Sequence, residues 1–255
     1  MKNSDIPGGA ARVIAWSPIC FNMNYNNKNW LLYFGPALER HLSEIRNPER
    51  KSASCSAWNL LYHILHDAGF PEIPGELRFT ARGKPYFADS SDAFAGDPDN
   101  LNNLNNLDNP GGKRIYFSLS HSGELCAAVV SDIPVGIDIE RAREFYRPAL
   151  IRRVLSDRER ASFDGDFARV WCRKESIAKL TGDGVADHPA MINTLDPRYT
   201  FREISIDWRG AAYRLSCALR ARVQHIFGDD AANRANISPA AEFKRRRETV
   251  GEHKI

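Results

Sequence analysis

Two acidic residues two positions apart, Asp138 and Glu140, have the type and spacing of a cation-binding pair. They lie in a run that alternates apolar and acidic residues, which is typical of a β-strand. Residues two apart on a strand point to the same face, so both carboxylates project together while Ile137 and Ile139 face the core. Carboxylates this close repel unless a cation lies between them, and Mg²⁺ prefers hard oxygen ligands. The alternative is an acidic, solvent-facing strand edge, and the pair alone leaves both interpretations open.

A second candidate group lies on one predicted helix that ends at Gly182. Helical spacing stacks Trp171, Glu175 and Lys179 on one face, with Lys174 beside them. If this face meets the acidic strand, a third carboxylate and two ammonium groups converge there, as a metal-bound pyrophosphate requires. The alternative is an intrahelical ion pair between Glu175 and Lys179, with the tryptophan as an ordinary core residue.

Ser120 and His121 are neighbours in a Ser-rich segment that ends at Gly123. A serine next to a histidine suggests a hydrolase, but the segment has no G-x-S-x-G motif. Neighbours on an extended chain point to opposite faces, so the two residues are poorly placed as nucleophile and base. Hydrogen bonding to a phosphate suits these side chains better, and a polar turn between two strands is the remaining alternative.

Two basic segments are weaker candidates. Gly83-Lys84-Pro85 forms a predicted turn without the glycine spacing or Ser/Thr of a P-loop, so Walker chemistry is excluded. Arg50 and Lys51 lie in the first turn of a predicted helix, where cations and free N–H groups would make an anion site. Taken alone, the first segment is equally a common turn and the second a solvated helix start.

The elements that must position these residues can be predicted from local patterns. A helix should begin at Pro48 after an Asn47 N-cap and end at Gly69. Ser156 and Glu159 form a capping box at the start of another helix. Further elements are predicted at residues 125–130, 135–140, 199–206 and 213–219 as strands, and from about 166 to 180 as a helix. Strands and helices mix without a βαβ rhythm, which favours an α+β fold.

Composition restricts the class of protein. The chain has 255 residues and a net charge of +3, which is too small to indicate a nucleic-acid partner. Its five scattered cysteines suit a reducing compartment, and neither a signal peptide nor a membrane-spanning segment is visible, so we expect a cytoplasmic protein. The Asn-rich stretch at about 89–112 is expected to be a flexible loop, and the tail at 231–255 to be disordered.

The order of these motifs identifies a family. Gly83-Lys84-Pro85, the Ser120-His121 segment, Gly136-Ile137-Asp138-Ile139-Glu140 and the Trp171–Lys179 segment follow one another as in the surfactin-type 4′-phosphopantetheinyl transferases, which the chain resembles from about residue 31 to 223. The resemblance implies two similar α+β halves, a pseudo-dimeric arrangement with the active site between them. Here the halves would be residues 1–132 and 133–230.

The resemblance also implies roles for residues at the matching positions. Asp138, Glu140 and Glu175 match Mg²⁺ ligands, and Glu175 is also the candidate general base. Lys179 matches a catalytic lysine at the phosphates of coenzyme A. The expected coenzyme A contacts are, together with Lys179, Arg50, Lys51, Gly83, Lys84, Pro85, Ser120, His121 and Lys174.

The implied reaction transfers phosphopantetheine from coenzyme A to a serine of an apo acyl, peptidyl or aryl carrier protein and releases 3′,5′-ADP. The carriers of such enzymes serve fatty acid, polyketide, non-ribosomal peptide or siderophore synthesis. An acidic carrier would suit the arginines that follow the acidic strand, which are Arg141, Arg143, Arg147, Arg152 and Arg153. A pseudo-dimer within one chain is expected to work as a monomer, without a nucleic-acid or membrane partner. The alternative function is a non-catalytic coenzyme A or nucleotide-binding module on the same fold.

Overall fold

The structure is a computed structural model that describes residues 12–20, 29–88, 115–185 and 188–221. The predicted Asn-rich loop at 89–112 and the predicted tail at 231–255 lie outside the described residues, so the two predictions about them are not tested.

The described residues contain strands and helices in alternating groups. The strands are β1 (Arg12–Pro18), β2 (Glu76–Phe79), β3 (Pro85–Ala88), β4 (Tyr116–Ser122), β5 (Leu125–Ser131), β6 (Val135–Arg141), β7 (Tyr199–Trp208) and β8 (Ala211–Arg220). The helices are α1 (Asn29–Phe34), α2 (Pro36–Glu44), α3 (Pro48–Asp67), α4 (Pro148–Val154), α5 (Asp157–Ala161) and α6 (Phe167–Thr181), with a 3₁₀ helix at Pro189–Met191. None of these helices combines the length and the apolar character that crossing a membrane requires.

The strands form two three-stranded sheets and one hairpin. The sheets have the orders β1-β5-β4 and β6-β8-β7, and β2 pairs with β3. All of these pairings are antiparallel. In each three-stranded sheet, the strand that comes last in sequence therefore lies in the middle, between the other two. Antiparallel sheets with separate helices are compatible with the predicted α+β class. The predicted boundary between residues 132 and 133 falls in the turn that leads from β5 to β6.

The two sheets lie face to face between two helical layers. The inner layer of side chains comes from both sheets and includes Ile14, Leu125, Ile137, Ile139 and Leu215. Helices α1–α3 cover the other face of the first sheet with a separate aromatic and aliphatic core. Helix α6 covers the other face of the second sheet. The apolar face of β6 is therefore buried against the first sheet, as the alternation of its residues predicts.

Local signals place the helix ends as predicted. The Asn47 side chain accepts a hydrogen bond from the Arg50 N–H at the start of α3. Both reciprocal bonds of the Ser156–Glu159 capping box are present at α5. Helix α6 ends at Gly182, which has the left-handed conformation that favours glycine.

Gly136 allows β6 and α6 to approach closely. A Cβ atom at this position would lie 2.1 Å from the Ser176 carbonyl oxygen and 2.5 Å from the Leu180 nitrogen. Both are backbone atoms, so no side-chain rotation can relieve the clash. The absence of a side chain at Gly136 therefore sets the distance between the acidic strand and the helix that carries Glu175 and Lys179.

We expect Gly136→Ala to destabilise the protein by at least the ~1–3 kcal/mol that is typical of overpacked cores, because a strand and a helix must separate. Chemical denaturation would measure this loss. Gly165→Ala is a suitable control because Gly165 has a φ of 97° and no atom lies within 4 Å of its added Cβ, so it reports backbone strain alone. Equal stability of Gly136→Ala and the wild type would contradict the close approach of β6 and α6.

Candidate active site

Three serines of β4 join the two sheets at the site. The hydroxyls of Ser118 and Ser120 accept hydrogen bonds from the Ile137 and Ile139 N–H groups at 3.1 and 3.3 Å. The Ser122 hydroxyl accepts in the same way from Arg141 at 3.2 Å. Strand β6 is the edge of its sheet, and these N–H groups are the ones that its partner β8 leaves unpaired. The alternate serines thus replace a backbone partner along the edge of β6.

The same hydroxyls orient the acidic pair. The Ser120 hydroxyl donates to Asp138 Oδ1 at 2.7 Å, and the Ser122 hydroxyl donates to Glu140 Oε2 at 2.9 Å. Ser120 is buried and faces Asp138, so in this structure its hydroxyl is engaged with β6. Each hydroxyl accepts from the backbone and donates to a carboxylate, which fixes both carboxylates on the side of β6 that faces α6.

Asp138 is a buried carboxylate, and one of its oxygens has no hydrogen-bond partner among the described residues. Its side chain is 5% exposed, and the Lys179 ammonium donates to Oδ1 at 2.7 Å. Oδ2 is buried and has no hydrogen-bond partner among the described residues. An unpaired buried acceptor costs free energy, so this oxygen is the natural position for a cation or a donor supplied by a ligand.

Glu140 and Glu175 lie in the same electrostatic environment. Burial and the neighbouring Asp138 carboxylate raise the pKa of Glu140 to about 7, although Ser122 and Lys179 oppose this. Burial and Asp138 likewise raise the pKa of Glu175, and Lys179 opposes the rise. Helix α6 therefore faces the acidic strand, with Glu175 and Lys179 turned toward it. The carboxylates repel one another, and a single ammonium does not neutralise them.

Basic residues lie near His121 and Asp138. Burial lowers the pKa of His121, and the nearby Lys179 and Arg50 lower it further. Arg50 is exposed in the first turn of α3, where Lys51 is half-buried. His121 points away from Ser120, as expected for neighbours on a strand. The structure thus brings Arg50 and Lys179 near His121.

Lys174 occupies a different environment from Lys179. Its side chain is 0% exposed, and Nζ donates to both Glu159 carboxylate oxygens, at 2.9 and 2.7 Å, and to the Ile192 carbonyl. Thr194 donates to the same carboxylate through its N–H and its hydroxyl. Consecutive residues on a helix point about 100° apart, so Lys174 does not share the face of Glu175. The Lys174 ammonium could contact coenzyme A only if this buried pair were broken, so its placement does not support that predicted contact.

The Gly83-Lys84-Pro85 segment lies at the end of α6. Gly83 has a φ of 80° in the turn, and Pro85 begins β3 opposite Phe79. The Lys84 ammonium is half-buried and donates to the Leu180 carbonyl at 3.1 Å. The segment is therefore adjacent to the helix that carries Lys179.

The donor set of the site suits a hard divalent cation. Asp138, Glu140 and Glu175 supply carboxylate oxygens, one of which is buried without a partner. Within the described ranges, however, no three His, Cys, Asp or Glu side chains are grouped as a ready metal site. The three carboxylates fit a cation by their chemistry, while Lys179 and the serines hold two of them in the structure as it stands.

Two functional features were missed by the sequence analysis. The first is the set of hydrogen bonds that join Ser118, Ser120 and Ser122 to β6. The alternation of serines is visible in the sequence, but nothing in the sequence indicates which strand they contact. Glu159 was assigned only its role in the capping box, and its pairing with Lys174 depends on tertiary contact.

Similarity to known proteins agrees with these motifs. Residues 134–226 match the family model described as the 4′-phosphopantetheinyl transferase superfamily. This part of the chain is therefore similar to the 4′-phosphopantetheinyl transferase superfamily. The resemblance inferred from the motifs is thereby confirmed for the segment that contains Asp138, Glu140, Glu175 and Lys179.

Individual 4′-phosphopantetheinyl transferases also match part of the chain. The chain is similar to the 4′-phosphopantetheinyl transferase psf-1 of Bacillus pumilus, with 35% identity over 79 residues that cover 28% of this chain and 34% of the relative. It is also similar to the 4′-phosphopantetheinyl transferases AcpT of Salmonella typhi and Salmonella typhimurium, with 33% identity over 107 residues, 38% of this chain and 55% of each relative. The chain thus spans about a third to about half of the length of these relatives.

We expect Glu159→Gln to destabilise the protein by about 3–5 kcal/mol at neutral pH, because it leaves the Lys174 charge buried without a counter-charge. Denaturant titration would measure the loss. The paired replacement Glu159→Leu/Lys174→Met removes both charges and should recover most of the stability.

The pH dependence of the wild type supplies a further check. Burial alone would raise the pKa of Glu159, but Lys174, Thr194 and Ser156 outweigh it and hold the pKa below its usual value of 4.5. The contribution of the pair is therefore complete above pH 4.5 and is lost as the pH falls through the lower, folded-state pKa. The paired replacement should show a weaker loss in this acidic range, and an identical loss would argue against the pair.

Proposed function

We propose that this protein transfers the 4′-phosphopantetheine group of coenzyme A to a serine of an apo carrier protein, in a Mg²⁺-dependent reaction that releases 3′,5′-ADP. The main support is the buried Asp138 carboxylate, whose Oδ2 has no hydrogen-bond partner among the described residues and whose Oδ1 binds the Lys179 ammonium. The carboxylates of β6 and α6 together with the Lys179 ammonium suit a substrate that carries a metal-bound pyrophosphate.

Asp138, Glu140 and Glu175 are the residues that would hold the metal. Burial raises the pKa values of Glu140 and Glu175, and repulsion from Asp138 adds to the rise, so a cation near the three carboxylates would be favourable. A bound Mg²⁺ would neutralise the pyrophosphate oxygens during transfer.

The cationic residues have a separate task. Lys179 and Arg50 both lie near His121, and the positive charges of these two residues suit the phosphates of coenzyme A, with Lys51 close by on α3. Fixed charges of this kind stabilise the charge that develops in the transition state without reorganising. Ser120 contributes indirectly, because its hydroxyl holds Asp138.

The transfer forms a bond from the carrier serine oxygen to the β-phosphorus and breaks the bond from that phosphorus to the oxygen of 3′,5′-ADP. The serine proton needs an acceptor, and Glu175 is our candidate. Burial and Asp138 raise the pKa of Glu175 above its ordinary value, and a carboxylate with a raised pKa is a better proton acceptor.

The arrangement of the two sheets supports an active site between two similar halves. Both sheets have the strand order first, third, second, and a long helix covers each of them. Arg50 and His121 come from one side of the predicted boundary, whereas Asp138, Glu175 and Lys179 come from the other.

The carrier would dock on the segment that follows β6. Arg143, Arg147, Arg152 and Arg153 are exposed there, and α4 also presents Leu150, which is 40% exposed. Helix α4 packs against the 3₁₀ helix, whose Met191 is exposed. An apolar surface bordered by arginines suits an acidic carrier domain that also has an apolar face.

Intact-mass spectrometry of an apo carrier protein, incubated with the enzyme, coenzyme A and Mg²⁺, tests the reaction directly. We expect a mass gain of roughly 340 Da, one phosphopantetheine by its formula, and its loss with EDTA or in Asp138→Asn, because both remove the cation expected of phosphoryl transfer. Asp157→Asn, on the exposed surface of α5, serves as the matched control.

Binding of coenzyme A separates the two candidate functions. Calorimetric binding without mass gain on acyl, peptidyl and aryl carriers would favour the non-catalytic binding module and refute the transferase. Binding together with transfer would exclude the module.

The double variant Arg152→Glu/Arg153→Glu should raise the KM for an acidic carrier at least roughly tenfold while leaving the KM for coenzyme A unchanged, because reversed charges weaken the encounter with the carrier alone. Steady-state kinetics at low salt would show this. Arg40→Glu/Arg78→Glu alters the net charge equally on α2 and β2 and serves as the control. Equal effects of the two double variants would rule out this docking surface.

A further inference from the structure

The turn between β2 and β3 reaches the C-terminal end of α6, although the contacting residues lie 96 and 101 positions apart in sequence. The Lys84 ammonium donates to the Leu180 carbonyl at 3.1 Å, and the Arg82 guanidinium donates to the Asp183 carbonyl at 2.6 Å. Two cations from one short turn therefore bind the backbone of the helix end. Leu180 directly follows Lys179, the residue that pairs with Asp138.

The turn is held rigidly by its own hydrogen bonds. The Thr80 N–H donates to the Lys84 carbonyl at 2.9 Å, and the Gly83 N–H donates back to the Thr80 carbonyl at 2.8 Å. The Lys84 N–H donates to the Thr80 hydroxyl at 3.1 Å. The Lys84 side chain therefore starts from a fixed backbone and reaches α6 from a defined direction.

The helix end offers the acceptors that this side chain needs. The last carbonyls of an α-helix have no partner within the helix and carry the negative end of its dipole. The Gly182 N–H donates to the Ala178 carbonyl at 2.8 Å, so one of them is satisfied within the turn. Lys84 supplies both a donor and a positive charge for the Leu180 carbonyl.

Lys84 keeps its charge in an unfavourable position. Burial lowers the pKa of Lys84 to about 8, and the Asp183 carboxylate opposes this. Asp183 faces the ammonium from the loop after α6, and Arg82 lies beside it on its own turn. A folded-state pKa below the usual lysine value means that burying the charged form costs stability at neutral pH. An uncharged side chain would avoid this cost, so stability alone does not account for a lysine here.

We propose that Lys84 is a positioning residue that fixes the last turn of α6 through the Leu180 carbonyl and thereby holds the Lys179 ammonium against Asp138. The expected effect on kcat rests on the proposed transferase function. The contact that fixes the end of α6 does not depend on that function. Arg82 reinforces it at Asp183. The turn would couple the β2–β3 hairpin to the catalytic helix.

Hydrogen exchange of the free protein tests the structural part without any substrate. Lys84→Met should accelerate exchange of the amides at the end of α6, including that of Gly182, by roughly tenfold or more, since the turn loses its cap. Lys84→Arg should keep exchange near that of the wild type, because a guanidinium can donate to the same carbonyl. Arg78→Met, on the same hairpin but paired with Glu76, is the matched control and should leave α6 unchanged.

Stability measurements separate positioning from scaffolding. Lys84→Met should unfold at the same denaturant concentration as the wild type at pH 7, or a higher one. Any advantage of the variant should shrink as the pH rises from about 8 toward the usual lysine value of 10.5, because Lys84 loses its proton earlier in the folded state than in the unfolded state. A loss of folding, or a lower midpoint, would make Lys84 a structural residue and overturn the proposal.

Kinetics test the functional part. If Lys179 is misplaced, Lys84→Met should lower kcat roughly 10- to 100-fold while the KM for coenzyme A changes less than about threefold, and Lys84→Arg should restore most of the kcat. A raised KM with an unchanged kcat would mean that Lys84 contacts the nucleotide directly, which would refute positioning. An inactive wild type would refute the transferase instead, and the hydrogen-exchange result would still decide the contact with α6.

Discussion

The site depends on the hydrogen bonds that join β4 to the edge of β6. Ser118, Ser120 and Ser122 accept the three N–H groups that β6 would otherwise expose, and two of their hydroxyls donate onward to Asp138 and Glu140. These contacts fasten one sheet to the other and orient the acidic residues at the same time. An edge strand with unpaired groups is normally exposed to water or to another chain. Here the same groups are used to place two carboxylates in the interior.

Lys174 and Lys179 lie on one helix but in different surroundings, one in a fully paired buried network and the other in the candidate active site. Lys174 and Glu159 are almost fully enclosed, and the carboxylate is saturated by Lys174, Thr194 and Ser156. Asp138 is also enclosed, yet one of its oxygens lacks a partner within the described part of the chain. Saturated buried networks give a rigid scaffold, whereas an unsatisfied acceptor leaves room for a ligand. The first pair fixes α6 against α5 and the segment around Thr194, and the second lies in the candidate active site.

Local chemistry made much of the fold predictable. Asn47, the Ser156–Glu159 capping box and Gly182 gave the helix ends because caps depend on neighbouring residues in sequence. The alternation of apolar and acidic residues predicted β6, because this pattern also depends only on neighbouring residues. The order of strands in the two sheets was not predictable, because pairing depends on contacts between segments far apart in the chain. The side on which Lys174 lies was misjudged, since the helical pattern placed it beside Glu175 without reference to what packs against the helix.

The sequence by itself determined which chemical groups are present and which elements carry them, and the order of its motifs indicated the superfamily of residues 134–226. Those properties reside in residue type and short spacing. Tertiary structure decided that Lys179 pairs with Asp138, that Lys174 pairs with Glu159, and that Lys84 reaches Leu180. Three lysines of one chemical type thus acquire different roles, because burial and the nearest carboxylate or carbonyl are set only when distant segments pack together.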